Sequence, residues 1–121
     1  MVGIGIDAVE IERFRQVLHR RPGMADRLFT AGEREYGSRW RDPAPRLAAR
    51  FAAKEAVMKA LGVGLGAFAF QDVEVVSRES GAPVLVLRGE AEALAGRLGV
   101  EEWRLSLTHT ESLAQAVAVA L

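Results

Sequence analysis

Residues 43–61 constrain the fold more than any other stretch of the chain. They contain no glycine, are rich in alanine, and lie between Asp42-Pro43 and Gly62. Alanine gives up no side-chain freedom in a helix, so this run favours one long helix. Asp42 offers an N-cap oxygen, Pro43 suits the first turn, and Gly62 is a natural stop. Leu47, Phe51, Met58 and Leu61 supply much of its buried stripe.

The flanking segments are shorter. Val2 to Ile6 reads as an apolar strand ending at Asp7, with Gly3 and Gly5 leaving one face open to close packing. Residues 9–20 read as an amphipathic helix, interrupted by Pro22-Gly23. A brief helix over 24–29 follows. Thr30-Ala31-Gly32-Glu33 has the form of a capping box that starts another helix at 31. In the second half, 72–76 and 84–87 read as strands around Ser80-Gly81, with Pro83 at a strand edge or start. Residues 89–98 read as a helix that Gly99 ends. Strands over 103–107 and 114–121 are joined by Thr108-His109-Thr110-Glu111. This order of strand, helices, hairpin, helix and hairpin predicts a single α+β domain over 1–121, an antiparallel sheet packed with the long helix.

Composition narrows the function classes. Half of the 121 residues are hydrophobic and 26% are charged, which supports a core and argues against disorder. There is no cysteine, so disulfides, thiol catalysis and cysteine-ligated zinc are excluded. No apolar run approaches the roughly 20 residues of a membrane span. Met1 to Asp7 lacks the basic start and long apolar core of a signal peptide. The expectation is a soluble, cytoplasmic protein that does not engage a membrane.

Net charge is zero, yet the charges are unevenly spread. Residues 13–50 hold ten arginines against four acids, and residues 72–111 hold eight acids against four arginines. A basic stretch in a neutral protein is either a docking face for an acidic partner or a solvated helical surface. Few aromatics and no nucleic-acid motif argue against nucleic acid. The chain has fourteen arginines and only two lysines, Lys54 and Lys59, both in one short stretch. A compact ammonium serves there where a planar guanidinium would not, or the clustering is chance.

Few residues are equipped for chemistry. Asp7, at the end of an apolar strand, is either a carboxylate held towards a cleft or a helix N-cap. Phe51, Glu55 and Lys59 recur at four-residue spacing and share one helix face. Glu55 and Lys59 are either a surface pair or a metal carboxylate beside a phosphate-binding ammonium. Mg²⁺ is commonly held by one or two carboxylates plus substrate phosphates, and Asp7 and Glu55 could supply that pair. The loop Gly62-Val63-Gly64-Leu65-Gly66 could offer backbone N–H groups to an anion, although a helix C-cap explains Gly62. His109, among the hydroxyls of Ser106, Thr108 and Thr110, could bind phosphate, act as acid or base, or cap a turn.

These pieces resemble a known family. The stretch from Gly3 to Glu10 resembles the opening motif of the bacterial holo-[acyl-carrier-protein] synthases. The thirteen residues from Arg50 to Gly62 resemble their second motif. Gly81-Ala82-Pro83 and Ser106 to Thr110 are similar to the third and fourth. The order and chain length also agree. Departures at Ala8, Ala49, Val63 and Leu107-Thr108 remove no charged group.

The resemblance implies a 4′-phosphopantetheinyl transferase. Such an enzyme moves the phosphopantetheine arm of coenzyme A onto a serine of apo acyl carrier protein. It releases adenosine 3′,5′-bisphosphate and needs Mg²⁺. It implies a homotrimer with active sites between subunits, serving fatty-acid or polyketide biosynthesis. Asp7 and Glu55 would be metal ligands, and Lys59 would bind the coenzyme phosphates. Arg50, Phe51, Gly62, Gly64, Pro83 and Thr110 would line the nucleotide site, and His109 would reach a neighbouring subunit's coenzyme. Arg13, Arg20 and Arg27 would dock the acidic carrier. A non-enzymatic coenzyme-binding module would not need Asp7, Glu55 and Lys59 together. A sugar-kinase-like ATPase fragment would need more strands and about twice the length.

Overall fold

In the computed structural model, which describes residues 1–121, the chain forms five strands and five α-helices. They are β1 (Gly3–Glu10), α1 (Ile11–Arg20), α2 (Met24–Leu28), α3 (Ala31–Gly37), α4 (Ala44–Ala60), β2 (Val73–Ser77), β3 (Pro83–Leu87), α5 (Gly89–Arg97), β4 (Trp103–His109) and β5 (Leu113–Ala120). One antiparallel sheet has the order β1-β5-β4, and β2 and β3 form a second antiparallel pair. The predicted α+β arrangement is the one observed.

Small residues bring the main sheet onto α4. The β1 ladder runs from Gly3 opposite Ala120 to Glu10 opposite Leu113. Side chains alternate across a strand, so Ala114, Ala116, Ala118 and Ala120 share the buried face of β5 with Gly3 and Gly5 of β1. A Cβ on Gly3 would stand 1.9 Å from the carbonyl oxygen of Ala60, and one on Gly5 1.9 Å from that of Ala56. The close packing expected at these glycines is therefore against the helix backbone itself.

Two apolar clusters flank α4. One gathers Ala56, Val57, Met58 and Leu61 with Val73, Val75 and Ala118. The other joins Ile11, Phe14, Phe29, Leu47 and Ala48. Phe29 and Val57 are wholly buried, each a burial worth about 1.5–3 kcal/mol. The opposite face of the main sheet is bare, with Ile4 58% and Ile6 61% exposed. No helix is long and apolar enough to cross a membrane.

Several boundaries differ from the sequence expectation. β1 continues through Asp7 to Glu10, and α1 begins at Ile11 rather than at residue 9. The reason is pairing: Asp7 faces Ala116 and Val9 faces Ala114 across the ladder. Val9 packs on both apolar clusters from the strand, which outweighs its helical spacing. Asp7 is consequently no helix cap. α4 begins at Ala44 with Pro43 at the N-cap position, and Asp42 Oδ1 accepts the Ala44 N–H at 3.2 Å. The capping box is present as expected. Thr30 Oγ1 accepts the Glu33 N–H at 3.2 Å, and Glu33 Oε1 accepts the Thr30 N–H at 3.0 Å.

Candidate active site

Because alternation places Asp7 on the same face as Gly3 and Gly5, its carboxylate is aimed at α4. There Lys59 Nζ donates to Asp7 Oδ1 at 3.0 Å and to the Ile6 carbonyl at 2.9 Å. The lysine thus pairs across to the strand and forms no ion pair with Glu55, one turn earlier on the same helix. Asp7 is largely covered, at 18% side-chain exposure, whereas Lys59 is 54% exposed and open to a ligand.

Asp7 and Glu55 line one cleft of about 670 Å³ with Arg13, Phe14, Phe51 and Phe70. Burial pushes the Glu55 carboxyl above the ordinary glutamate range, the negative charge of Asp7 adds to this, and Lys59 partly opposes it. Glu10, Arg13 and Arg27 line the same cleft, so with Lys59 its carboxylates and cations are equal in number. Carboxylate oxygens are hard donors and suit a hard divalent cation such as Mg²⁺. Although Glu10 also lines the cleft, no three Asp, Glu, His or Cys side chains stand close enough to hold a metal ion together. Further ligands would therefore come from water or from phosphate oxygens, the usual pattern for Mg²⁺.

A second, smaller pocket of about 190 Å³ shares no lining residue with the cleft. It is lined by Tyr36, Arg46, Arg50, Pro83, Thr108 and His109, among others. Arg50 is 4% exposed; its guanidinium lies 3.7 Å from the Tyr36 ring centroid and donates from Nη2 to Ser77 Oγ at 2.9 Å. Burial lowers its proton affinity below the usual arginine value.

Most of the residues singled out from the sequence thus fall into two groups, and four lie outside both. Asp7, Glu55, Phe51, Arg13 and Arg27 line the cleft, and Lys59 reaches Asp7. Arg50, Pro83 and His109 line the second pocket. Phe51 turns away from Arg50 and packs between Phe14 and Phe70, with centroids 5.4 and 5.6 Å away. Arg20 lies in a separate groove with Arg15 and His19. Gly62, at φ +72°, ends α4, and neither it nor Gly64 lines either cavity. Thr110 Oγ1 accepts the backbone N–H groups of Ser112 and Leu113, capping the β4–β5 turn. Arg13, Arg20 and Arg27 form no ion pair, unlike Arg15, Arg34 and Arg39.

Sequence reasoning missed Glu33 as more than a cap. Its carboxylate is wholly buried against Lys54, which carries no phosphate role in this geometry. The clustering of both lysines on α4 was the available signal, and the two have separate duties: Lys54 inside, Lys59 at the cleft.

Residues 3–118 match the family model of the 4′-phosphopantetheinyl transferase superfamily, which sets the class. The holo-[acyl-carrier-protein] synthase of Streptomyces avermitilis is 48% identical over 120 residues, covering 99% of this chain and 97% of the relative. The crystal structure of the synthase from Neisseria meningitidis superposes with a TM-score of 0.91 at 29% identity, covering 100% of this chain and 98% of that one. The Helicobacter pylori synthase, solved in complex with coenzyme A, gives a TM-score of 0.86 at 29% identity, with 98% and 99% covered. The chain belongs to the holo-[acyl-carrier-protein] synthases, an enzyme family of that superfamily.

Proposed function

We propose that this chain transfers the 4′-phosphopantetheine arm of coenzyme A to a serine of apo acyl carrier protein, releasing adenosine 3′,5′-bisphosphate. The observation that carries the reading is the meeting of Asp7, Glu55 and Lys59 at one cleft in a chain of this family. The coenzyme complex of the Helicobacter pylori relative supports the choice of donor.

Asp7 and Glu55 would hold Mg²⁺, which when bound supplies charge stabilisation to the pyrophosphate oxygens. The rest falls to the chain's own groups. Lys59, half in solvent, exchanges its contact with Asp7 for a phosphate oxygen and offsets charge on the leaving phosphate. The serine oxygen bonds to the β-phosphorus while the bridging P–O bond breaks, and the electron pair leaves with the bisphosphate. No histidine lines the cleft, so the serine proton passes to Glu55 or to water beside it. Holding donor and acceptor in line is the larger part of such catalysis.

The unpaired Arg13 and Arg27 at the cleft, with Arg20 nearby on α1, form the docking surface for an acidic carrier protein. The coenzyme would span two subunits of a homotrimer, with its nucleotide end against Arg50, Phe51, Gly62, Gly64, Pro83, His109 and Thr110. Two observations support that assembly: the cleft and the cationic pocket are separate on one chain, and Ile4 and Ile6 leave an apolar sheet face uncovered. The enzyme would work in the cytoplasm, in fatty-acid or polyketide biosynthesis.

The test is mass spectrometry of an apo carrier protein incubated with the chain, coenzyme A and Mg²⁺. The expected result is a gain of one phosphopantetheinyl group per carrier. An unchanged carrier mass overturns the reading.

A further inference from the structure

We infer that Gln71 is a positioning residue for carrier recognition: its amide clamps α2 and so fixes Arg27 at the cleft. The inference rests on the transferase reading above and deepens it, because that reading gives Arg27 to the docking surface.

α2 has little of its own to hold it. It runs only from Met24 to Leu28, follows Pro22-Gly23, and has no side-chain cap at its N-terminus. A helix this short does not persist in water without tertiary contacts. Its ion pair to α3, from Arg34 Nη1 to Asp26 Oδ1 at 2.9 Å, is exposed, and such pairs contribute little. Leu28 and Phe29 are buried and anchor only its C-terminal end. Yet Met24, Arg27 and Leu28 together make one wall of the cleft.

Gln71 supplies a further tie. Its Nε2 donates to the Asp26 carbonyl and, at 3.1 Å, to the Phe29 carbonyl. The NH₂ end of the side chain has one hydrogen for each. The Asp26 carbonyl has no helical partner, because the Thr30 N–H that would reach it in a longer helix goes to Glu33 Oε1. The clamp itself stands on a fixed base. Gln71 sits in a single 3₁₀ turn, Phe70–Asp72. Buried Lys54 donates from Nζ to the Phe70 carbonyl at 3.0 Å and to the Val73 carbonyl, and the Phe70 ring packs on Phe51 of the same helix. Thus α4 holds the turn, and the turn holds α2. Gln71 is exposed and does not line the cleft, so its effect on a ligand passes through α2. A segment ordered before binding lowers the conformational cost of docking. Without the clamp, apparent affinity falls with the fraction of molecules that have α2 in place.

The experiment measures affinity for apo acyl carrier protein by calorimetry, with steady-state loading kinetics, for wild type, Gln71→Met and Gln71→Asn. Circular dichroism checks the fold of each. Gln71→Met keeps the length and loses both N–H groups. It is expected to weaken carrier binding about three- to tenfold, the scale of a neutral hydrogen bond. The carrier KM should rise with it, while kcat and the KM for coenzyme A stay at wild-type values. Gln71→Asn, which keeps the amide on a shorter stem, should lie between. Hydrogen exchange should quicken at the Arg27 and Phe29 amides and not in α4. Added to Arg27→Gln, Gln71→Met should weaken the carrier no further. Unchanged carrier affinity in the folded variants, a matching loss for coenzyme A, or full additivity with Arg27→Gln overturns the inference. So does a wild type with no measurable affinity for the carrier. A wild type that binds the carrier, with these differences among the variants, but loads none defeats the transferase reading alone.

Discussion

Lys54 Nζ lies 2.7 Å from Glu33 Oε1, and neither side chain reaches solvent. Lys54 also donates to the carbonyls of Phe70 and Val73, and Glu33 Oε2 accepts the Val75 N–H at 2.9 Å. The pair therefore binds α4 to the start of α3 and to β2. Burial pulls the proton affinity of Lys54 down, and Glu33 restores part of it. Removing one partner leaves an uncompensated buried charge or donor, at a cost of about 3–5 kcal/mol. Lys54→Met and Glu33→Gln should each lose that much in urea unfolding, and the double variant less than their sum. A cost below about 1 kcal/mol for either would contradict this role.

Gly5 tests the seating of β1 on α4. Alanine there would drive a Cβ into the Ala56 carbonyl, which the helix cannot move without shifting. Overpacking of this kind costs about 1–3 kcal/mol or more. Gly5→Ala should lower the melting temperature and reduce carrier loading, because the same strand carries Asp7. Gly23→Ala, where a Cβ meets nothing within 4 Å, is the control and should melt as wild type.

Glu74 gives a pH signature away from the site. Burial favours its neutral form, but hydrogen bonds from Thr30 and Arg88 outweigh burial and hold its carboxyl below the ordinary range. A lowered folded pKa contributes stability above the unfolded value, lost as pH falls through the folded one. The stability difference between wild type and Glu74→Gln should thus be widest near neutrality. It should narrow as pH drops below about 4.3, the usual glutamate value. A difference that is flat with pH in denaturant titrations would contradict the assignment.

The unpaired cleft arginines should govern carrier docking. Arg13→Glu and Arg27→Glu are expected to lower kcat/KM for the carrier on the order of tenfold at low salt, with the effect shrinking as salt rises. Arg20→Glu, whose residue lies outside the cleft, should do less. The KM for coenzyme A should not move. Equal damage to both substrates would count against an arginine docking face.

The long helix was legible because alanine content, Pro43 and Gly62 act locally on the backbone. The capping box at Thr30 was legible for the same reason. The end of β1 was not, since pairing of Val9 with Ala114 depends on a strand more than one hundred residues away. Asp7 was visible as a candidate, but its aim at α4 came from the two-residue alternation set by Gly3 and Gly5. The twofold grouping of Arg50 with His109, and of Phe51 with Glu55, was hidden because neighbouring helix positions face different ways.

The shared duty of Asp7 and Glu55 is the claim on which the account turns. The most direct measurement is the Mg²⁺ dependence of carrier loading by wild type, Asp7→Asn and Glu55→Gln, each shown folded by circular dichroism. Wild type should saturate with Mg²⁺, and each variant should lose on the order of a hundredfold or more in rate. Loading by both variants at the wild-type rate and with the wild-type Mg²⁺ response would contradict the account.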